Sequence, residues 1–238
     1  MPPRRPLGPR GGLDPGILAF DTSLPHVSVA VLSGRVRAER TEPMARGQDG
    51  RLMPLIAEVL EEAGGRLQDM DLIAVGVGPG NFTGTRIAVA AARGLALALG
   101  IPATGVSLFE ALLDPVAPTA ARALLVSLEA PRGQAYVQHF RHGRPQAPPR
   151  LVDLASPPPD LGPPRGMAVR GYMAEAIARP FHASWEEAAP ARVAARVAEF
   201  AERRLRQGPL DPALRPAPLY VRPPDAAPPA DPPPPIVP

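Results

Sequence analysis

The sequence predicts an α/β chain built on a mixed sheet, and three features carry that prediction. The apolar run Ile17–Thr22 is followed by alternating segments at Val27–Leu32 and Val36–Thr41, the pattern of three strands in hairpin order. Two segments of helical spacing then flank Leu72–Val77, a continuous apolar run of the kind found in a strand buried on both faces. Between that run and the second helical segment lies a glycine-rich loop, Gly76–Arg86.

Each element has its own warrant. The break Ser23-Leu24-Pro25-His26 turns the first strand into the second, and Val36–Thr41, polar on one face, suits an edge. Leu52, Leu55, Ile56, Val59, Leu60 and Ala63 fall on one helical face, with Glu58, Glu61 and Glu62 opposite and Gly64-Gly65 as the stop. Pro54 must start that helix or kink it. Thr83–Leu99 is a second helix and Ala103–Val106 a short strand, an order that suggests a sheet of the ribonuclease-H type. The second half repeats it faintly: Ala123–Ser127 and Ala135–Phe140 as a hairpin, Arg150–Asp153 and Met167–Arg170 as further strands, and a closing helix from about Ala191 to Leu205. The chain is too short for a full second lobe, so the repeat is expected to be truncated. The predicted organisation is a disordered lead at 1–16, a first lobe at 17–114, a second lobe at 115–224 and a Pro-rich tail at 225–238.

Composition narrows the class. The 238 residues include 26 arginines and no lysine, balanced by 23 acidic residues to a net charge of +3. That balance gives little warrant for nucleic-acid binding and none for a membrane surface. Of 36 prolines, 26 sit in three stretches, residues 1–16, 145–164 and 208–238. Zero cysteines exclude a disulfide scaffold, a thiolate metal site and a cysteine nucleophile. No apolar h-region follows the basic start, and no 18-residue apolar run is uninterrupted, so a cytoplasmic protein is expected.

The loop GVGPGNFTGTR holds four glycines in nine residues, which permits close backbone approach and positive φ. With Thr83 as N-cap, the amides of Gly84, Thr85 and Arg86 would face outward as an anion site. Gly78, Gly80, Thr83 and Gly84 are therefore the candidates for a phosphate cradle. Against them, a Walker loop needs lysine, and a dinucleotide fingerprint needs glycine where Asn81 stands. A structural strand-to-helix turn is the favoured alternative. The following helix is apolar almost all round and rich in small residues, interrupted only by Arg86 and Arg93. It reads either as a sandwiched central helix or as one whose outer face docks on a partner.

Catalytic groups are scarce. His139 and His142 face opposite sides, Asp21 ends the first strand without a matching second carboxylate, and Ser23 and Ser107 lack a nucleophile-elbow context.

The segments ILAFDTS…VSVAVL (17–32), RLMPLIAEVLEEAG (51–64), DLIAVGVGPGNFTGTRIAVAAARGLALALGIPATGVSLFEAL (71–112) and PLYVR (218–222) strongly resemble the TsaB (YeaZ) family. The resemblance is dense over 17–112 and loose afterwards. It implies an actin-like ATPase (ribonuclease-H-like, ASKHA) fold of two lobes, the second truncated. It further implies a non-catalytic subunit that dimerises with TsaD, the transferase forming N6-threonylcarbamoyladenosine at position 37 of tRNAs reading ANN codons. A TsaE-type ATPase would join the larger complex, and tRNA would be met only through it. The chain would hold no cofactor of its own, with ATP or ADP and metal on the partner subunits. The family's docking helices correspond to about Leu52–Ala63 and Thr83–Leu99, so Leu52, Leu55, Ile56, Val59, Arg86, Val89, Ala91, Ala92 and Arg93 are the expected partner-binding residues. Arg86 and Arg93 are the expected anchors. Free protein would self-associate through the same face.

Departures from the TsaD pattern point to a pseudo-enzyme. Where TsaD carries two metal-binding histidines, this chain has Leu108 and Leu112. The hairpin Asp21-Thr22-Ser23-Leu24-Pro25 lacks the glycine that phosphate-binding relatives place after the aspartate. Asn81 replaces the family's usual serine, and Asp49 is expected to cap the first helix. The rivals are a metal- or ATP-dependent enzyme of the same fold, glycoprotease-like or sugar-kinase-like, and a tRNA-binding module. The latter is disfavoured by only ten aromatic residues.

Overall fold

The computed structural model describes residues 14–113, 123–161, 167–211 and 215–221. Strands β1 (Ile17–Asp21), β2 (His26–Ser33), β3 (Arg35–Pro43), β4 (Leu72–Gly76) and β5 (Ala103–Val106) form a sheet in the order β3-β2-β1-β4-β5. β1 pairs antiparallel with β2 and parallel with β4. Alternate residues serve opposite faces. Leu18, Phe20, Ile73 and Val75 pack under α1 (Gln48–Glu62) and α2 (Phe82–Leu99), while Ile17, Ala19, Leu72 and Ala74 face the other way. Both faces of β1 and β4 are thus covered, the physical reason their sequences read as unbroken apolar runs.

The second sheet repeats the path. Strands β6 (Ala123–Ala130), β7 (Gln134–Arg141), β8 (Arg144–Pro145), β9 (Arg150–Asp153), β10 (Ala168–Gly171) and β11 (Ser184–Glu187) run in the order β11-β10-β6-β7-β8, with β9 also on β7. As in the first sheet, the leading strand takes an antiparallel neighbour, β7, and a parallel one, β10. The truncation falls on the helices: α4 (Ala174–Ala178) has 5 residues where the first half has an 18-residue α2. β11 was not legible in the sequence, because its four residues, Ser-Trp-Glu-Glu, are all exposed and carry no apolar face.

The two halves share one core. Helices α3 (Leu108–Ala111) and α5 (Val193–Gln207) lie between the sheets, where Leu108, Phe109, Val197 and Ala201 meet Val126, Leu128 and Phe140. Ala194 and Ala195 pack on Ala30, so small residues bring α5 close to β2. The helix that closes the second half in sequence therefore covers the back of the first sheet. Arg204 of α5 reaches the Gly105 carbonyl and the Glu110 carboxylate, tying α5 to β5 and α3.

Several local expectations need correction. Residues 14–16, expected in a disordered lead, belong to the folded unit: Gly16 donates its amide to Asp71 Oδ2 at 2.9 Å and its carbonyl accepts from the Asp71 amide at 2.7 Å. The rest of the lead and the tail lie outside the described residues. Helix α1 starts at Gln48 with Gly47 as N-cap at φ 80°, so Asp49 sits in the first turn, where it favours the helix dipole, instead of capping. Of the two expectations for Pro54, the start is excluded, because it lies inside α1.

The outer face of α1 is tied to β3 by ions. Arg51 pairs with Glu42 at 2.7 Å and Glu58 at 2.6 Å, while Arg40 pairs with Glu58 at 2.6 Å and with Glu62. Hydrogen bonds from Arg51 hold the Glu42 and Glu58 carboxyls below the ordinary 4.5. A lowered carboxylate contributes stability at pH above its ordinary value and loses it as pH falls through the lowered one. Carbon-13 titration should give both midpoints below 4.5, and Glu58→Gln should flatten the loss of stability under acid.

Candidate functional site

Two regions bear on function: the glycine loop with the hairpin beside it, and the outer face of α1 and α2.

The loop leaves β4 at Gly76 and is pressed against the β1–β2 turn. The Asn81 amide donates to the Ser23 carbonyl at 2.6 Å, and the Thr22 hydroxyl donates to the Gly84 carbonyl at 2.6 Å. A Cβ at Gly80 would collide with the Ser23 carbonyl, one at Gly84 with the Thr22 carbonyl and one at Gly76 with the Asp21 carboxylate. The glycines serve close backbone approach. The helix N-cap is Asn81, not Thr83 as expected: its side chain accepts from the Gly84 amide at 3.0 Å and its carbonyl from the Thr85 amide at 2.9 Å. Thr83 is exposed, and the Gly78 carbonyl is occupied by the Leu108 amide at 2.8 Å. Of the phosphate cradle expected from Gly78, Gly80, Thr83 and Gly84, two of the amides are bonded within the chain, and the hairpin lies against the loop.

Asp21 is wholly buried and committed to neighbours. Its Oδ1 accepts from the Ser23 amide at 3.0 Å and lies 2.9 Å from His26 Nε2; its Oδ2 accepts from the Ser23 hydroxyl at 2.8 Å. The Gln48 amide closes the outside, donating to the carbonyls of Leu24 and His26 at 2.8 and 2.7 Å. Sequence reasoning missed both His26 and Gln48, since neither stands in a motif. A depression of about 400 Å³ opens beyond His26, lined by Glu39, Thr41 and Arg192, whose charges are paired at 2.8 Å. Leu108 and Leu112 are buried in the core between the sheets. Elsewhere, His139 lies in β7 and His142 in the turn after it, at φ 50°. Burial, then the charge of Arg150, pushes the His139 imidazole below 6.5. Among the described residues no three His, Asp or Glu side chains are grouped to hold a metal.

The expected docking residues divide in two. Leu52, Leu55, Ile56, Val59, Val89 and Ala92 are at most 3% exposed and pack inward in the first core. Their apolar spacing marks the face turned to the sheet, so they cannot meet a partner. Ala91 is half-buried, and Arg86 and Arg93 are exposed. The surface of α2 is instead made by Arg86, Ala90, Gly94, Leu97 and Ala98, and that of α1 by Met53, Pro54 and Ala57. Leu97 is 79% exposed and Met53 46%. α2 is also the one described helix long and apolar enough to cross a membrane, yet its inner residues pack on the sheet.

Segment 215–221 lies against this helix. The Leu219 amide donates to the Val77 carbonyl at 2.8 Å, Arg93 Nε donates to the Pro216 carbonyl at 2.7 Å, and Arg86 Nε donates to the Tyr220 hydroxyl at 2.8 Å.

Comparison with known proteins fits this architecture. A solved structure titled YeaZ, from Pseudomonas aeruginosa, matches 87% of this chain and 99% of its own with a TM-score of 0.68 and 27% identity. A protein named tRNA threonylcarbamoyladenosine biosynthesis protein TsaB, from Escherichia coli, is 33% identical over 126 residues, 52% of this chain and 54% of the relative. These likenesses point to the TsaB (YeaZ) family. Another TsaB, from Buchnera aphidicola subsp. Schizaphis graminum, is 36% identical over 121 residues, covering 50% of this chain and 58% of the relative. The chain thus spans about half the length of these curated relatives. Residues 42–149 match the family described as TsaD, tRNA N6-adenosine threonylcarbamoyltransferase. The fold is of the actin-like ATPase (ASKHA) class. Component A of the Acidaminococcus fermentans (R)-2-hydroxyglutaryl-CoA dehydratase shares it at a TM-score of 0.50 and 10% identity.

Proposed function

We propose that this chain is a TsaB-type, non-catalytic subunit in the formation of N6-threonylcarbamoyladenosine at position 37 of tRNA. It binds and activates a TsaD-type transferase through the exposed faces of α1 and α2. The observation that carries this reading is the outer face of α2, where Ala90, Gly94, Leu97 and Ala98 form a continuous solvent-facing stripe of small and apolar side chains. A helix left in water keeps a polar outer face; one that meets a partner does not. Small residues let a second helix approach closely.

The inactive part of the reading is supported by the closed loop and by Leu108 and Leu112, which replace ligands by core. ATP or ADP and metal are then held by the partner subunits. A TsaE-type ATPase joins the complex, tRNA is met through it, and the assembly works in the cytoplasm. Without its partner, two copies of the chain would meet through the same face.

The test is size-exclusion chromatography with light scattering on the chain alone and mixed with the TsaD-type subunit of the same bacterium. A mixed complex of defined mass is expected. Two unchanged peaks would overturn the docking reading, and micromolar ATP binding by the isolated chain would overturn the non-catalytic one.

A further inference from the structure

We propose that Arg86 is a pre-set anchor for a carboxylate side chain on the docked protein, held in place by segment 215–221. This rests on the docking reading above. Arg86 lies one turn into α2, four residues from Phe82 and therefore on the same side of the helix. Its guanidinium carbon stands 3.7 Å from the Phe82 ring centroid and 5.7 Å from that of Tyr220. The two rings are 5.0 Å apart and inclined at 34°. With Nε donating to the Tyr220 hydroxyl at 2.8 Å, the plane of the guanidinium is set by three contacts.

Tyr220 is itself fastened. Leu219 beside it packs into the core and bonds Val77, and Pro216 is held by Arg93, two turns further along α2. Arg93 thus serves to fix the segment, while Arg86 is the group the segment fixes. This arrangement is far apart in sequence: residues 86 and 220 are separated by 134 positions.

The fork that results is unspent. Among the described residues no carboxylate lies within ion-pair distance of Arg86, whereas Arg40, Arg51, Arg192 and Arg204 all have one. An exposed arginine normally loses rotamer freedom when it binds; one already stacked and hydrogen-bonded loses less, and its remaining N–H groups match a carboxylate in pairs. Phosphate has the same geometry, but the surroundings disfavour nucleic acid. Along the outer face of α2 follow Ala90, Gly94 and Leu97, and α1 beside it exposes Asp49, Glu61 and Glu62. One free fork at the edge of an apolar face suits the single charge of an Asp or Glu on a protein surface, whereas a polyanionic backbone would meet the nearby carboxylates repeatedly.

The experiment measures the affinity of the full chain for the TsaD-type subunit by calorimetry, for the native sequence and for Arg86→Ala, Arg86→Lys, Tyr220→Phe and Leu97→Glu. Thermal unfolding of each variant alone verifies folding. Arg86→Ala is expected to weaken binding by roughly 30-fold, as at an interface hot spot. Arg86→Lys recovers little of that, because lysine has charge without the fork. Tyr220→Phe keeps the ring but loses the hydroxyl acceptor, for a loss of about threefold to tenfold. A double-mutant cycle against the Asp and Glu residues of the partner's docking surface should find one that couples to Arg86. Native-like binding by Arg86→Ala while Leu97→Glu fails to bind would overturn the anchor and leave the docking face standing. Native-like binding by both would overturn both. Loss of tRNA binding by Arg86→Ala, with partner affinity unchanged, would assign the fork to phosphate and overturn the proposal.

Discussion

Alanine at position 84 is expected to destabilise the protein by roughly 3 kcal/mol, the upper part of the range for forcing atoms into a packed site. The new methyl would overlap the Thr22 carbonyl and press on the Gln48 side chain at 3.0 Å. Neither can yield freely. The Thr22 hydroxyl is bonded to the Gly84 carbonyl, and Gln48 holds the hairpin through two carbonyls. Position 94, ten residues along the same helix, provides the opposite case. Gly94 is exposed with nothing within 4 Å of its notional Cβ. Gly94→Ala should stabilise by about 0.5–1 kcal/mol, since alanine is the better helix former and restricts the unfolded chain. Chemical denaturation of both variants reads the two signs. A stabilised Gly84→Ala protein would mean the loop stands clear of the hairpin, and the phosphate-cradle reading would return.

Glutamate at position 97 should abolish complex formation with a TsaD-type subunit and leave the chain folded. Leu97 is the most exposed large apolar side chain described, so its replacement costs the isolated chain little. Against an apolar partner surface the new carboxylate must be desolvated without a counter-ion, and a loss on the order of 3 kcal/mol, about a hundredfold in Kd, is expected. Isothermal titration with both subunits gives the affinity, and thermal unfolding gives the control. A charge at Ala92 would be uninformative. That side chain is fully buried, and Ala92→Arg should unfold the first lobe. Unchanged affinity for Leu97→Glu would move the docking surface off α2.

Much of the fold was legible because β1, β2, β4, α1 and α2 carry their periodicity locally. Ile17–Asp21 and Leu72–Gly76 are apolar on both faces, and Leu52 to Leu60 repeats at helical spacing. β11 was illegible for the converse reason: its residues are exposed, and only parallel pairing with β10 makes them a strand. The docking residues show a sharper failure. A helical stripe of Leu, Ile and Val identifies an apolar face but not what covers it. In α1 the sheet does, which consigns Leu52, Leu55, Ile56 and Val59 to the core.

What the sequence by itself determined is the order of the elements, the resemblance to the TsaB (YeaZ) family and the apolar side chains at Leu108 and Leu112, since each depends on residue identity at short range. What only the tertiary structure decided is the use of each surface. The glycine loop became a contact because β1 and β2 bring the Thr22 and Ser23 carbonyls against it. Asp21 became a buried bond acceptor because Ser23 and His26 turn back on it. Arg86 became a fixed fork because residue 220 returns to its side. These outcomes rest on contacts between segments distant in sequence, which local periodicity does not encode.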